Sequence, residues 1–120
     1  MLILEDIRTY CVAKKGVKED FPFDFSTLTF KVGGKIFALT DIDAPDLRVN
    51  LKCDPMLALE LRERHSQITE GYHMNKKHWN TVKIDGAIED GEILRLIDHS
   101  YDLVVRGLKK SLRDEILGAE

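Results

Sequence analysis

The chain has 120 residues and a mass of 13.7 kDa, is 43% hydrophobic and 32% charged, and carries 18 basic against 21 acidic side chains. That is apolar material for one core and not for two, and no apolar run approaches the roughly 18 residues a membrane helix requires, so membrane-embedded and disordered classes are excluded. The net charge of -3 and pI near 5.8 argue against a globally basic nucleic-acid binder.

In chain order, the apolar residues Ile3, Ile7, Tyr10 and Cys11 fall at helical spacing over residues 2–15, and Gly16 supplies a left-handed stop. Residues 21–26, Phe-Pro-Phe-Asp-Phe-Ser, read as an aromatic loop because Pro22 disfavours helix at Phe21. Residues 28–32 alternate as a strand, Gly33 and Gly34 permit the positive φ angles of a tight hairpin, and residues 35–41 return. A break at residues 43–46 precedes a third strand over residues 48–53. Asp54-Pro55 starts a second helix reaching about His65, since the carboxylate can accept backbone N–H groups while Pro fills the first helical position. A polar connection, residues 66–77, leads to a strand over residues 78–84. Residues 89–106 form the last long helix, with Ile93, Ile97, Tyr101, Val104 and Leu108 as its apolar stripe before Gly107. Ser111 and Asp114 suit the start of a short terminal helix, so residues 1–110 read as one domain and 111–120 as a helical extension.

The order αβββαβα predicts an α+β two-layer fold, an antiparallel β-sheet with helices packed on one face. Strand alternation turns Leu28, Phe30, Val32, Phe37, Leu39, Val49, Leu51, Val82 and Ile84 toward the helices. It leaves Thr29, Lys31, Ile36, Ala38, Asn50, Lys52, Trp79, Thr81 and Lys83 on the other face, subject to reversal by any bulge.

Charge is uneven. Residues 71–83 hold three lysines, two histidines and no acid, whereas residues 84–120 hold five bases against nine acids. In the cationic segment Lys76 and Lys77 suit phosphates, Asn75 and Asn80 suit base edges or sugar hydroxyls, and Trp79 or Tyr72 suits base stacking. The plainer reading has Trp79 anchoring the loop, His73 or Asn80 satisfying loop carbonyls, and the lysines merely solvated.

Other chemistries find less support. His73, His78 and Cys53 match no zinc spacing, and no metal or cofactor is expected. Asp98, His99 and Asp102 lie close on the last helix, with His99 able to contact Asp102, but no nucleophile with an identifiable base accompanies them. No catalytic residue is expected. Cys11 and Cys53 have no CxxC partner, and residues 1–6 lack the basic and apolar regions of a secretion signal. Free thiols and a cytoplasmic location follow as expectations.

Three words carry a resemblance: Asn-Leu-Lys-Cys-Asp-Pro at residues 50–55, Gly-Tyr-His-Met-Asn-Lys-Lys-His-Trp-Asn-Thr at residues 71–81, and Asp-His-Ser-Tyr at residues 98–101. Together they resemble the MmcQ/YjbR family over residues 2–107, the aromatic loop and double-glycine hairpin included. The resemblance implies a CyaY/frataxin-like fold and a double-wing DNA-binding protein. Residue by residue it points to Lys52, His73, Asn75, Lys76, Lys77, His78, Trp79 and Asn80 as the DNA-binding set, joined by Lys83 from the cationic segment. Frataxin-like folds also raise iron binding, but the first helix offers only Glu5 and Asp6 before Lys14 and Lys15, which is no acidic ridge. DNA is thus the expected partner of a non-enzymatic protein. The alternative is a small anionic ligand or a protein partner held by the same groups.

Overall fold

The computed structural model describes residues 1–72 and 74–118. Along the chain it runs α1 (Leu4–Val12), β1 (Val17–Asp20), β2 (Thr27–Val32), β3 (Lys35–Asp41), β4 (Arg48–Lys52), α2 (Pro55–Arg64), β5 (Ile68–Glu70), β6 (Trp79–Lys83), α3 (Asp90–Arg106) and α4 (Lys110–Gly118). The strands form one antiparallel sheet in the order β1-β2-β3-β4-β6-β5. α3 crosses β2, β3 and β4, with α1 beside β1 and α2 beside β5. This is the two-layer α+β arrangement that the order of elements predicts. Among the described residues, no helix is long and apolar enough to cross a membrane.

Two strands were not anticipated, and both lie at sheet edges. β1 carries Lys18, Glu19 and Asp20 and pairs with β2, while β5, inside the expected polar connection, buries only Ile68. Charged, short edge strands resist pairing with another chain, and their polarity hides them from a hydrophobic pattern.

Local signals elsewhere act as expected. The Asp54 carboxylate accepts the N–H groups of Met56 and Leu57, each at 3.1 Å, and caps α2. Gly33 and Gly34 turn the β2–β3 hairpin at φ 59° and 79°. A side chain at Gly33 would also meet Leu108 at 2.6 Å, so glycine is required there twice over. The expected Ser111/Asp114 start of α4 is not formed: the helix begins at Lys110, whose ammonium takes the Asp114 carboxylate at 2.6 Å.

The core between sheet and helices centres on Ile7, Phe30, Phe37, Ile93 and Ile97, with Phe37 and Tyr101 meeting edge to face at 5.4 Å. β3 holds one extra residue: Phe30 pairs with Ala38 but Lys31 pairs with Ile36, leaving Phe37 as a bulge. The ladder between β3 and β4 is correspondingly short. The buried Ser100 hydroxyl of α3 continues it, donating to the Phe37 carbonyl at 2.5 Å and accepting from the Lys52 N–H at 2.9 Å. The bulge corrects two face assignments. Ala38, opposite Phe30 and Leu51, is fully buried on the helix side, and Leu39, opposite Thr29 and Asn50, lies on the uncovered side.

Candidate nucleic-acid interface

None of the described helices covers the sheet face opposite the core, where Thr29, Asn50 and Thr81 are nonetheless buried. On β4 and β6 the register stacks three cross-strand pairs there: Arg48 with Lys83, Asn50 with Thr81, and Lys52 with Trp79. At about 3.3 Å per residue, the outer pairs stand about 13 Å apart. Cations therefore flank a polar centre in which the Thr81 hydroxyl donates to Asn50 Oδ1 at 2.6 Å and accepts the Tyr72 N–H at 3.1 Å.

Loop 71–78 extends the Lys52/Trp79 end. Its position depends on Arg62 of α2, a residue the sequence reading did not single out. The Arg62 Nε donates to Asn80 Oδ1 at 2.7 Å, and its Nη2 reaches the Trp79 carbonyl at 3.3 Å and the Lys76 carbonyl. Gly71 donates to the Trp79 carbonyl at 2.9 Å, and a Cβ there would stand 2.7 Å from Trp79 Cβ, so the loop lies directly on β6.

These contacts divide the expected set. Asn80 is 2% exposed, on the helix side, its amide spent on Arg62 and on the Ala58 carbonyl at 3.5 Å, so it cannot reach a base. Asn75 Oδ1 accepts the Lys77 N–H at 2.9 Å and shapes the loop. The half-buried His78 contributes its backbone, its carbonyl accepting the Cys53 N–H at 2.8 Å. His73 lies outside the described residues. Lys52 and Trp79 are half-buried neighbours, and Lys76 and Lys77 are exposed. Lys76 stands 4.0 Å from Glu70, and Lys83 stands 3.8 Å from Asp46, which also meets Arg48 at 3.3 Å. Such exposed pairs are weak and yield to a better anion.

Beside this strip the open face sinks into a groove of about 820 Å³, floored by Ile36, Leu39, Asn50 and Thr81 and walled by Phe23, Ala44, Pro45, Tyr72 and Met74. Among the described residues, its charged lining is Asp24, Asp41, Asp46 and Glu70 against Arg48. Lys52, Lys76, Lys77 and Trp79 do not border it.

The sequence model of the YjbR family matches residues 12–103. The chain belongs to the YjbR family. It is 34% identical to the YjbR protein of Escherichia coli K12 over 112 residues, 93% of this chain and 95% of that one. It is 42% identical to YbdF of Escherichia coli O157:H7 over 94 residues, 75% and 74% of the two chains. The crystal structure of Deinococcus radiodurans protein DR2400, a DUF419 domain, superimposes with a TM-score of 0.92 at 43% identity, covering 97% of this chain and 88% of that one. A Pseudomonas syringae crystal structure matches at a TM-score of 0.73 and 28% identity, covering 85% and 98%.

In this YjbR chain both cysteines, His65, His99 and Asp98 are bound into the structure. Burial pushes the Cys11 thiol up to about 12 and the Cys53 thiol up to about 11, so neither is a thiolate near neutrality. His99 Nε2 accepts the Asp54 N–H at 3.1 Å, in place of the expected contact with Asp102, and His65 stands 3.2 Å from Glu92. The Asp98 carboxylate is held by Tyr10 at 2.8 Å and Lys14 at 2.5 Å, which ties α1 to α3. The cationic side chains on or beside the open face are Lys52, Lys76 and Lys77 at the Trp79 end and Arg48 and Lys83 at the other, the exposed Lys76 pairing with Glu70 and Arg48 and Lys83 with Asp46.

Proposed function

We propose that this YjbR-family chain is a non-enzymatic DNA-binding protein whose contacts are to backbone phosphates, through Lys52, Lys76 and Lys77 beside Trp79, with Lys83 and Arg48 at the far end of the same two strands. The observation that carries the reading is the cross-strand register, which sets cations at both ends of a strip on the one sheet face no helix covers. With Asn75 and Asn80 bonded internally, the strip has few groups left to read base edges, so binding is expected to depend little on sequence.

The test is a titration of labelled duplex DNA over a range of salt concentrations. With three to five phosphates engaged, the slope of log affinity against log salt is expected at about -3 to -4.5, and Lys76→Ala and Lys77→Ala each reduce it by about one. No binding at low salt would overturn the reading. The groove favours a second one, a module that holds a protein segment; its carboxylate lining disfavours the small anionic ligand considered from sequence.

A further inference from the structure

We propose that the open sheet face is a self-association surface whose occupant is a second copy of this chain, related by a two-fold axis lying in the plane of the face. The face is polarised from corner to corner. Around the loops that follow β1 and β3 stand Asp24, Asp41 and Asp43, with Phe23 68% exposed and Phe25 97% exposed. At the diagonal corner stand Lys52, Lys76 and Lys77, with the exposed Tyr72 and the half-buried Trp79.

An in-plane two-fold perpendicular to the line joining these corners sets unlike corners against each other, and an isologous contact makes that pairing twice. Carboxylates of each copy then meet ammonium groups of the other, and the phenyl rings of one meet the aromatic corner of its mate. The groove between the corners leaves room for side chains that protrude.

The aromatic loop is prepared for such a contact. The Asp24 carboxylate accepts the N–H groups of Ser26 at 2.9 Å and Thr27 at 2.7 Å and the Thr27 hydroxyl at 3.0 Å. Phe23 and Phe25 are thus displayed on an ordered turn, and docking them costs little further ordering. The inference stands independently of the DNA reading. Where both operate they compete, because aspartates of one copy occupy lysines of the other.

Sedimentation equilibrium of the full chain, from about 5 µM to about 500 µM at low salt, is the experiment, since complexes in this affinity range form and dissociate there. The expected species has twice the 13.7 kDa chain mass and dissociates as salt rises. Phe25→Asp is expected to weaken the dimer at least about tenfold. Two charge-reversed chains, Lys76→Glu with Lys77→Glu and Asp41→Lys with Asp43→Lys, are each expected to be monomeric alone and to form a heterodimer when mixed. All five substitutions are at exposed positions, and circular dichroism checks that each variant folds. A 13.7 kDa species at every concentration overturns the inference, as do charge-reversed chains that dimerise like the parent or fail to associate when mixed. A dimer that binds no DNA leaves the inference standing and removes the DNA reading; a chain that binds DNA but never dimerises does the reverse.

Discussion

Loops 21–26 and 71–78 occupy diagonal corners of one sheet face, yet they are ordered by different means. The first organises itself: the Asp24 carboxylate bonds groups two and three residues onward. The second is held from outside, by the Arg62 guanidinium of α2 and by close contact between Gly71 and Trp79. A self-contained turn can be lost without cost to the core, whereas a loop bonded to a distant helix shares its fate with that helix. The acidic corner is therefore expected to fail locally and the basic corner globally.

The widest separation between the two comes from Arg62→Ala. It strips a partner from the buried Asn80 amide and from the Lys76 and Trp79 carbonyls, so a loss of about 3 kcal/mol in urea unfolding is expected, with DNA affinity falling although every lysine remains. Gly71→Ala comes next, at about 1 to 3 kcal/mol, because the added methyl must push Trp79 away; a change in tryptophan fluorescence of the folded protein reports it. Asp24→Ala is expected to leave urea unfolding nearly unchanged while raising amide exchange at Ser26 and Thr27. Equal global losses from Arg62→Ala and Asp24→Ala would erase the distinction.

The smallest effect concerns acid. Arg8 hydrogen-bonds Glu19 and holds its carboxyl below the usual 4.5. A depressed folded-state value stabilises above the unfolded value, and that contribution disappears as pH falls through the folded one. Glu19→Gln should therefore flatten the acid limb of the stability curve below about pH 4.5, with a change of about 2 °C or less in Tm near neutrality.

What was legible in the sequence follows the same division between local and remote. The Asp54 cap, the Gly33-Gly34 turn and the alternation of β2, β4 and β6 depend on neighbours along the chain, and each was readable. β1 and β5 exist because a partner strand pairs with them, and no run of their own residues announces it. Among the residues expected to meet DNA, Lys52, Trp79 and Lys83 lie on the sheet face that strand alternation assigns them. Asn80 instead points to the helix side; an amide serves a base edge and the half-buried Arg62 equally well. A usable signal was present: Asn80 stands in the Val82 and Ile84 row, where a polar side chain requires a buried partner. Arg62, four residues beyond the buried Ala58 on α2, was the natural candidate for it.

The additional residue in β3 divides that strand into two parities. Up to Ile36 the even positions look out from the sheet; from Leu39 onward the odd ones do; Phe37 and Ala38 form a consecutive pair that both look in. A substitution scan across residues 35–41 should accordingly show two adjacent intolerant sites in place of a regular alternation. Deleting Phe37 would restore the simple count, keep Leu39 opposite Thr29 on the groove floor, and remove the carbonyl to which the Ser100 hydroxyl donates.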